Sequence, residues 1–189
     1  MGKKHILILL CFLTLLVFTS CDTNRTLILP TSNADQTGNI LLNTIIVSNT
    51  TTETTIYEGE VLPNSLKQNQ IIKVLGYGVV STASASDSVT IRFKVGGVTK
   101  QTFTLTPKLI TNEHLHIEGT TTQRTLGTSG IRATHQDICI GDECSGNNGV
   151  GTIDTTSNSN LTITAQWNNA KVGNTLSLYQ GFMEFKNGY

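Results

Sequence analysis

The chain has 189 residues, the length of one domain with a short appendage, and 13 basic residues balance 13 acidic ones, which excludes the basic surface of an ordinary nucleic-acid binder. Only 14% of residues are charged, against about 25% in typical soluble domains, and 31 Thr, 13 Ser and 16 Asn take their place. Threonine favours strands while Asn, Ser and Gly mark turns, so the composition predicts an all-β domain and excludes a helical bundle, a coiled coil or a disordered tail.

The first twenty residues read as an address. Lys3, Lys4 and His5 precede an apolar run over 6–18, broken only by Thr14, and the small Thr19 and Ser20 lead to Cys21. A positive start, a short apolar stretch and small residues at its end are the pattern of a secretory signal. The run is too short for a membrane span, which needs about 20 apolar residues. Phe18-Thr19-Ser20-Cys21 resembles a bacterial lipobox. That resemblance implies cleavage before Cys21, lipidation of Cys21 and a lipid bilayer as partner; plain secretion is the alternative. Removal of residues 1–20 takes away Lys3 and Lys4 and leaves 11 basic against 13 acidic residues. Residues 21–39 are polar and unpatterned and read as a tether, with the folded domain over 40–189.

From residue 40 the chain alternates. Val89, Ile91, Phe93 and Val95 interleave with Thr90, Arg92 and Lys94, the pattern of a half-buried strand. Gly96-Gly97 then predicts a tight hairpin turn with positive φ at both positions. Leu161, Ile163, Ala165 and Trp167 alternate in the same way, which makes Trp167 a core residue. The predicted strands are 40–47, 54–61, 71–80, 88–95, 98–105, 115–122, 131–140, 150–155, 161–167 and 175–185. Turn-rich breaks separate them, among them 81–87, 141–149 and 168–173. About ten short strands at this spacing predict a two-sheet antiparallel sandwich, most simply a jelly roll.

Candidate sites are few. His114 and His116 sit two apart in a strand and share a face, where they would serve either as two metal ligands or as two solvent-facing polar residues; no third ligand is evident nearby. Cys139 and Cys144 are the two cysteines left after Cys11 departs with the signal and Cys21 is acylated, and export permits a disulfide between them. His135 ahead of them does not complete a zinc spacing. The segment 141–149 is expected to be a loop whose Asp142, Glu143, Asn147 and Asn148 offer oxygen donors for binding, though no calcium-loop pattern is present. Asp154-Thr155-Thr156 lacks the glycine an aspartic-protease loop needs. No nucleophile elbow, zinc-protease helix or phosphate loop occurs, so neither an enzyme nor a cofactor is expected.

Several stretches, in order, resemble the C-terminal jelly-roll domain of bacteriophage head-fibre and tail-fibre proteins. They are Val47-Ser48-Asn49-Thr50-Thr51-Thr52-Glu53-Thr54-Thr55-Ile56 with Leu62-Pro63-Asn64-Ser65-Leu66, then Thr90-Ile91-Arg92-Phe93-Lys94-Val95-Gly96-Gly97-Val98-Thr99. Ile117-Glu118-Gly119-Thr120 with Gln123-Arg124-Thr125-Leu126-Gly127 follows, and then Ile153-Asp154-Thr155-Thr156 and Leu161-Thr162-Ile163-Thr164-Ala165-Gln166-Trp167. The likeness spans about residues 45–186. It implies a TNF/C1q-like trimeric sandwich with a structural or adhesive role and no catalytic residues. Virion fibre proteins carry no export signal, so the address and the domain point in different directions. The expectation is a non-catalytic, homotrimeric module displayed on a bacterial envelope, with a surface glycan or protein as receptor and no nucleic acid. The alternatives are a virion fibre protein, a phage-encoded superinfection-exclusion lipoprotein, and a carbohydrate-binding surface lipoprotein drawing on Tyr57, Tyr77 and Tyr179.

Overall fold

The computed structural model describes residues 36–41 and 43–187; the expected signal segment, Cys21 and the start of the tether lie outside the described residues. Eleven strands follow one another: β1 (Gln36–Ile40), β2 (Ile45–Ser48), β3 (Thr54–Gly59), β4 (Ile71–Ser81), β5 (Val89–Val95), β6 (Val98–Leu105), β7 (Glu113–Gln123), β8 (Gly130–Ile140), β9 (Glu143–Ile153), β10 (Leu161–Trp167) and β11 (Thr175–Lys186). Among the described residues there is no helix.

Alternation dictates which face of each strand is buried. In β5 Val89, Ile91, Phe93 and Val95 are buried and the residues between them are half-buried. Gly96 and Gly97 have φ of +56° and +77°, and they close the Val95–Val98 pair into the expected hairpin.

The strands form two antiparallel sheets. The larger runs β1-β11-β4-β7-β8-β9, with β2 also on β11, and the smaller runs β3-β10-β5-β6. From β2 onward the chain crosses repeatedly between the sheets, returning to β11 in the larger one. That is jelly-roll connectivity, with β8 and β9 added as a hairpin between β7 and β10. The facing sides pack a single core: Leu115, Ile117 and Ile138 meet Ile91, Ile163 and Trp167, all 1% exposed or less. Trp167 also donates its indole N–H to the Val47 carbonyl at 3.3 Å, so its one polar atom is satisfied inside.

Three expectations need correction. The strand expected over 40–47 is two strands. β1 pairs with the C-terminal half of β11 and β2 with its N-terminal half, and the chain between them steps across the bulge that β11 makes between Leu178 and Gln180. β1 also begins at Gln36, four residues ahead of the expected domain start. The third correction is the segment 141–149, which is not a loop. Ile140 pairs with Glu143, Gly141 and Asp142 alone make the turn, and everything beyond belongs to β9. Gly141, at φ +56°, supplies the positive φ such a two-residue turn requires. Gly and Asn weaken a strand in isolation, but here each residue of β9 is held by the ladder to β8.

Candidate functional site

The outward face of the larger sheet brings together most of the side chains singled out above. Cross-strand register sets them in rows. Tyr77 of β4 stands beside His116 of β7, Cys139 of β8 and Cys144 of β9. The next row is Phe182, Leu75, Glu118, Asp137 and Gly146, and the one after it is Glu184, Lys73, Thr120, His135 and Asn148. Towards the other edge, Ile46 and Val79 flank Ser177, and Ile40 pairs with Phe182.

The face therefore has two parts. Towards β2, across β11 and β4, it carries an apolar patch: Ile40 and Ile46 are 52% and 60% exposed, while Phe182, Val79 and Tyr77 are half-buried, with Ser177, Gln180, Glu184 and Lys73 set among and beside them. Tyr179, left unpaired by the β11 bulge, is 55% exposed. Across β7, β8 and β9 the face is polar and ionisable. Lys73 pairs with Glu118 at 3.0 Å, and the His116 ring stacks on Tyr77 with centroids 5.2 Å apart.

His135 is the most firmly held ionisable group of this polar part. Its Nδ1 lies 2.7 Å from Asn148 Oδ1 and its Nε2 lies 2.7 Å from Asp137 Oδ2. Both partners are oxygen acceptors, so both ring nitrogens donate and the imidazolium is favoured. The hydrogen bond to Asn148, then that to Asp137 with its charge, raises the pKa above the ordinary value. With both nitrogens engaged, the ring has no lone pair to act as a base. A shallow groove of about 480 Å³ runs beside it, lined by Thr120, Thr122, Ala133, His135, Asn148 and Val150 among others.

The expected site residues fall as follows. His114 and His116 do share this face and both lie against Tyr77, His114 at 6.3 Å between centroids. Among the described residues no three His, Cys, Asp or Glu side chains converge as a metal site. Cys139 and Cys144, directly opposed across the β8–β9 ladder, are joined by a disulfide. The four oxygen donors do not converge. Asp142 is exposed in the turn, the Glu143 carboxylate accepts the Thr106 N–H at 2.9 Å, and Asn147 donates to Gln101 at 2.8 Å. Asn148 turns the opposite way, to His135, because successive strand residues face opposite sides. Asp154 accepts from the Thr156 N–H and hydroxyl, which caps a turn and lowers its pKa. Tyr57 is not a surface aromatic. A bulge in β3 turns Ile56 and Tyr57 inward together, and burial pushes the phenol upward.

The second outer face, that of the smaller sheet, contrasts with the first. Thr90 and Thr104 pair through their hydroxyls across β5 and β6. Glu53 gathers Lys94, Arg92 and the Thr164 hydroxyl, with Lys94 and Thr164 lowering its pKa most. This cluster has no spacing in the sequence that would have pointed to it. No protein-family model matches the chain, and no curated protein matches it in sequence.

Proposed function

We propose that this chain is a non-catalytic structural or adhesive module of the phage-fibre jelly-roll kind, displayed as an envelope lipoprotein and assembled as a homotrimer through the apolar patch on its larger sheet. The observation that carries this reading is the contrast between the two outer faces. The smaller sheet meets solvent with Thr, Arg, Lys and Glu. The larger sheet presents Ile40, Ile46, Phe182, Val79 and Tyr77 where a jelly roll has no third layer to cover them. A second copy is the partner chemically matched to such a face, and closed symmetry would bury it without leaving a free edge. Cys21 is the proposed lipid anchor.

Light scattering of the full chain tests the assembly. Three chain masses are expected, with Phe182→Glu giving one; a monomeric unaltered chain overturns the trimer. Metabolic labelling with a palmitate analogue tests the anchor, and label that persists in Cys21→Ala overturns it. The groove beside His135 favours a surface glycan as receptor over a purely structural role. Glycan-array binding that is lost in His135→Ala would place the receptor there.

A further inference from the structure

The inward side of β8 changes character along its length. Ile138 and Ile140 join the core, but Gln136, Thr134 and Arg132 follow on the same side. Arg132 is 3% exposed and Gln136 5%; in β7, Gln123 and Thr121 stand opposite Arg132 and Thr134, at 0% and 5%. One end of the sandwich interior is thus polar. On the other flank β9 offers only Gly151 opposite Arg132 and Gly149 opposite Thr134. A Cβ at position 151 would stand 3.7 Å from Arg132 Nε, so the glycine leaves the guanidinium uncovered on that side.

This end is also where hydrogen bonding is incomplete. Among the described residues, five buried side-chain polar atoms have no partner, and three are Arg132 Nε, Gln123 Oε1 and Gln136 Oε1. Arg132 forms no ion pair and no hydrogen bond among the described residues, whereas Arg92 lies 3.7 Å from the Glu53 carboxylate. A guanidinium does not escape burial by losing its proton. A buried cation without a counter-charge is a costly arrangement, and buried polar groups are otherwise almost always paired.

Along the open edge of the sandwich between β6 and β9, the Asn147–Gln101 contact stands at the level of Gln136 and the Glu143–Thr106 contact farther on, at the level of Ile140, while Gly151 puts no side chain across the edge at the level of Arg132.

We infer that this polar end is a binding site for a small hydroxy-carboxylate, admitted between β6 and β9. The Arg132 guanidinium takes the carboxylate in a forked pair, and the hydroxyl donates to the orphaned oxygen of Gln123, which stands opposite Arg132 in the β7–β8 ladder. The same chemistry is offered by a free hydroxy acid and by a sugar acid within a glycan. No bond is made or broken.

Thermal unfolding of the full chain is measured with sodium lactate, propionate, glucuronate or chloride at one ionic strength. Lactate or glucuronate should raise the midpoint saturably beyond chloride, by about 5–10 °C at a hundredfold excess over Kd. Propionate, which has no hydroxyl, should do less. A response to lactate marks a free acid as the source; a response to glucuronate alone marks a sugar acid. Arg132→Met should abolish the difference from chloride. No saturable response, or a response that survives in Arg132→Met, overturns the site. Should Arg132→Met fail to fold, the unaltered chain decides: the side-chain Nε–H resonance of Arg132 must shift on titration with the responding acid, and an unmoved resonance overturns the inference.

Discussion

Alanine at Gly76 and alanine at Gly78 should differ sharply, although the two glycines lie two apart on β4, both buried and both facing the second sheet. A methyl at Gly76 meets the tip of Leu178 at 3.2 Å and Ile117 Cβ at 3.4 Å. A leucine tip can turn aside, so the crowding is small. Restricting the unfolded chain returns about 0.4–1 kcal/mol, and the net change should lie within about 1 kcal/mol of zero. A methyl at Gly78 instead overlaps the Ser177 carbonyl oxygen and stands 3.0 Å from Leu178 Cα. Those are backbone atoms of β11, held by pairing to both β2 and β4. Relief requires a shift of the strand itself, beyond the about 1–3 kcal/mol of ordinary overpacking. About 4 kcal/mol is expected, a large part of the roughly 5–15 kcal/mol that holds a domain folded. Urea unfolding of both variants measures the difference through their midpoints. Midpoints that agree to within about 1 kcal/mol, or Gly76→Ala the worse of the two, would refute the reasoning.

The Cys139–Cys144 bridge closes a loop of only five residues' separation, so the chain-entropy model gives it about 2 kcal/mol. The double serine variant should unfold about 4–8 °C lower by calorimetry, with no change in oligomeric state. The raised pKa of His135 fixes a sign: its stabilisation is fully present below the ordinary histidine value and is lost as pH rises through the folded one. Urea midpoints from pH 5.5 to 8.5 should therefore fall more steeply in the unaltered chain than in His135→Gln. Glu53 works the other way, because Lys94 and Thr164 lower its pKa. Its stabilisation is present above the ordinary glutamate value and is lost as pH falls through the folded one, so Glu53→Gln should show a shallower acid limb in the same assay.

Local pattern carries as much of this fold as local pattern can. β5, the Gly96-Gly97 turn and the burial of Trp167 follow from alternation and turn chemistry within a few residues. What alternation misreads are the places where another strand decides. Tyr57 goes inside because β3 bulges against β10, and a bulge leaves no mark on a two-residue period. The part of β9 up to Gly149 is rich in Gly and Asn and reads as a loop, yet the β8 ladder holds it extended. His135 and Asn148 meet across thirteen residues of hairpin, a distance that means nothing until the register is set. Arg132 carried a signal of a kind. Reading Ile131 as inward would place Ile138 outward, and the two cannot both be core residues of one regular strand.

The glycines of β9 explain how one hairpin can be polar on both sides. Gly149 and Gly151 stand over Thr134 and Arg132 on the inward side, and Gly146 stands over Asp137 on the outward side. At 146 and 149 a Cβ would crowd the side chain of the β8 partner, whereas at 151 it would make only ordinary contact with Arg132, 3.7 Å from Nε. Gly146 gives the clearest test, because a Cβ there would overlap the Asp137 carboxylate. Gly146→Ala should therefore push Asp137 off His135 while leaving both titrating residues and the Asn148 contact in the chain. The imidazolium would lose a charged partner, its pKa would fall, and the pH dependence of the urea midpoint would shrink towards that of His135→Gln. Because β9 is an edge strand, exposed along most of its length, the variant should remain folded. A histidine titration followed by NMR reads the effect directly. An unchanged His135 pKa in Gly146→Ala would mean that Asp137 reaches the ring by another path and that the glycine serves the strand rather than the site.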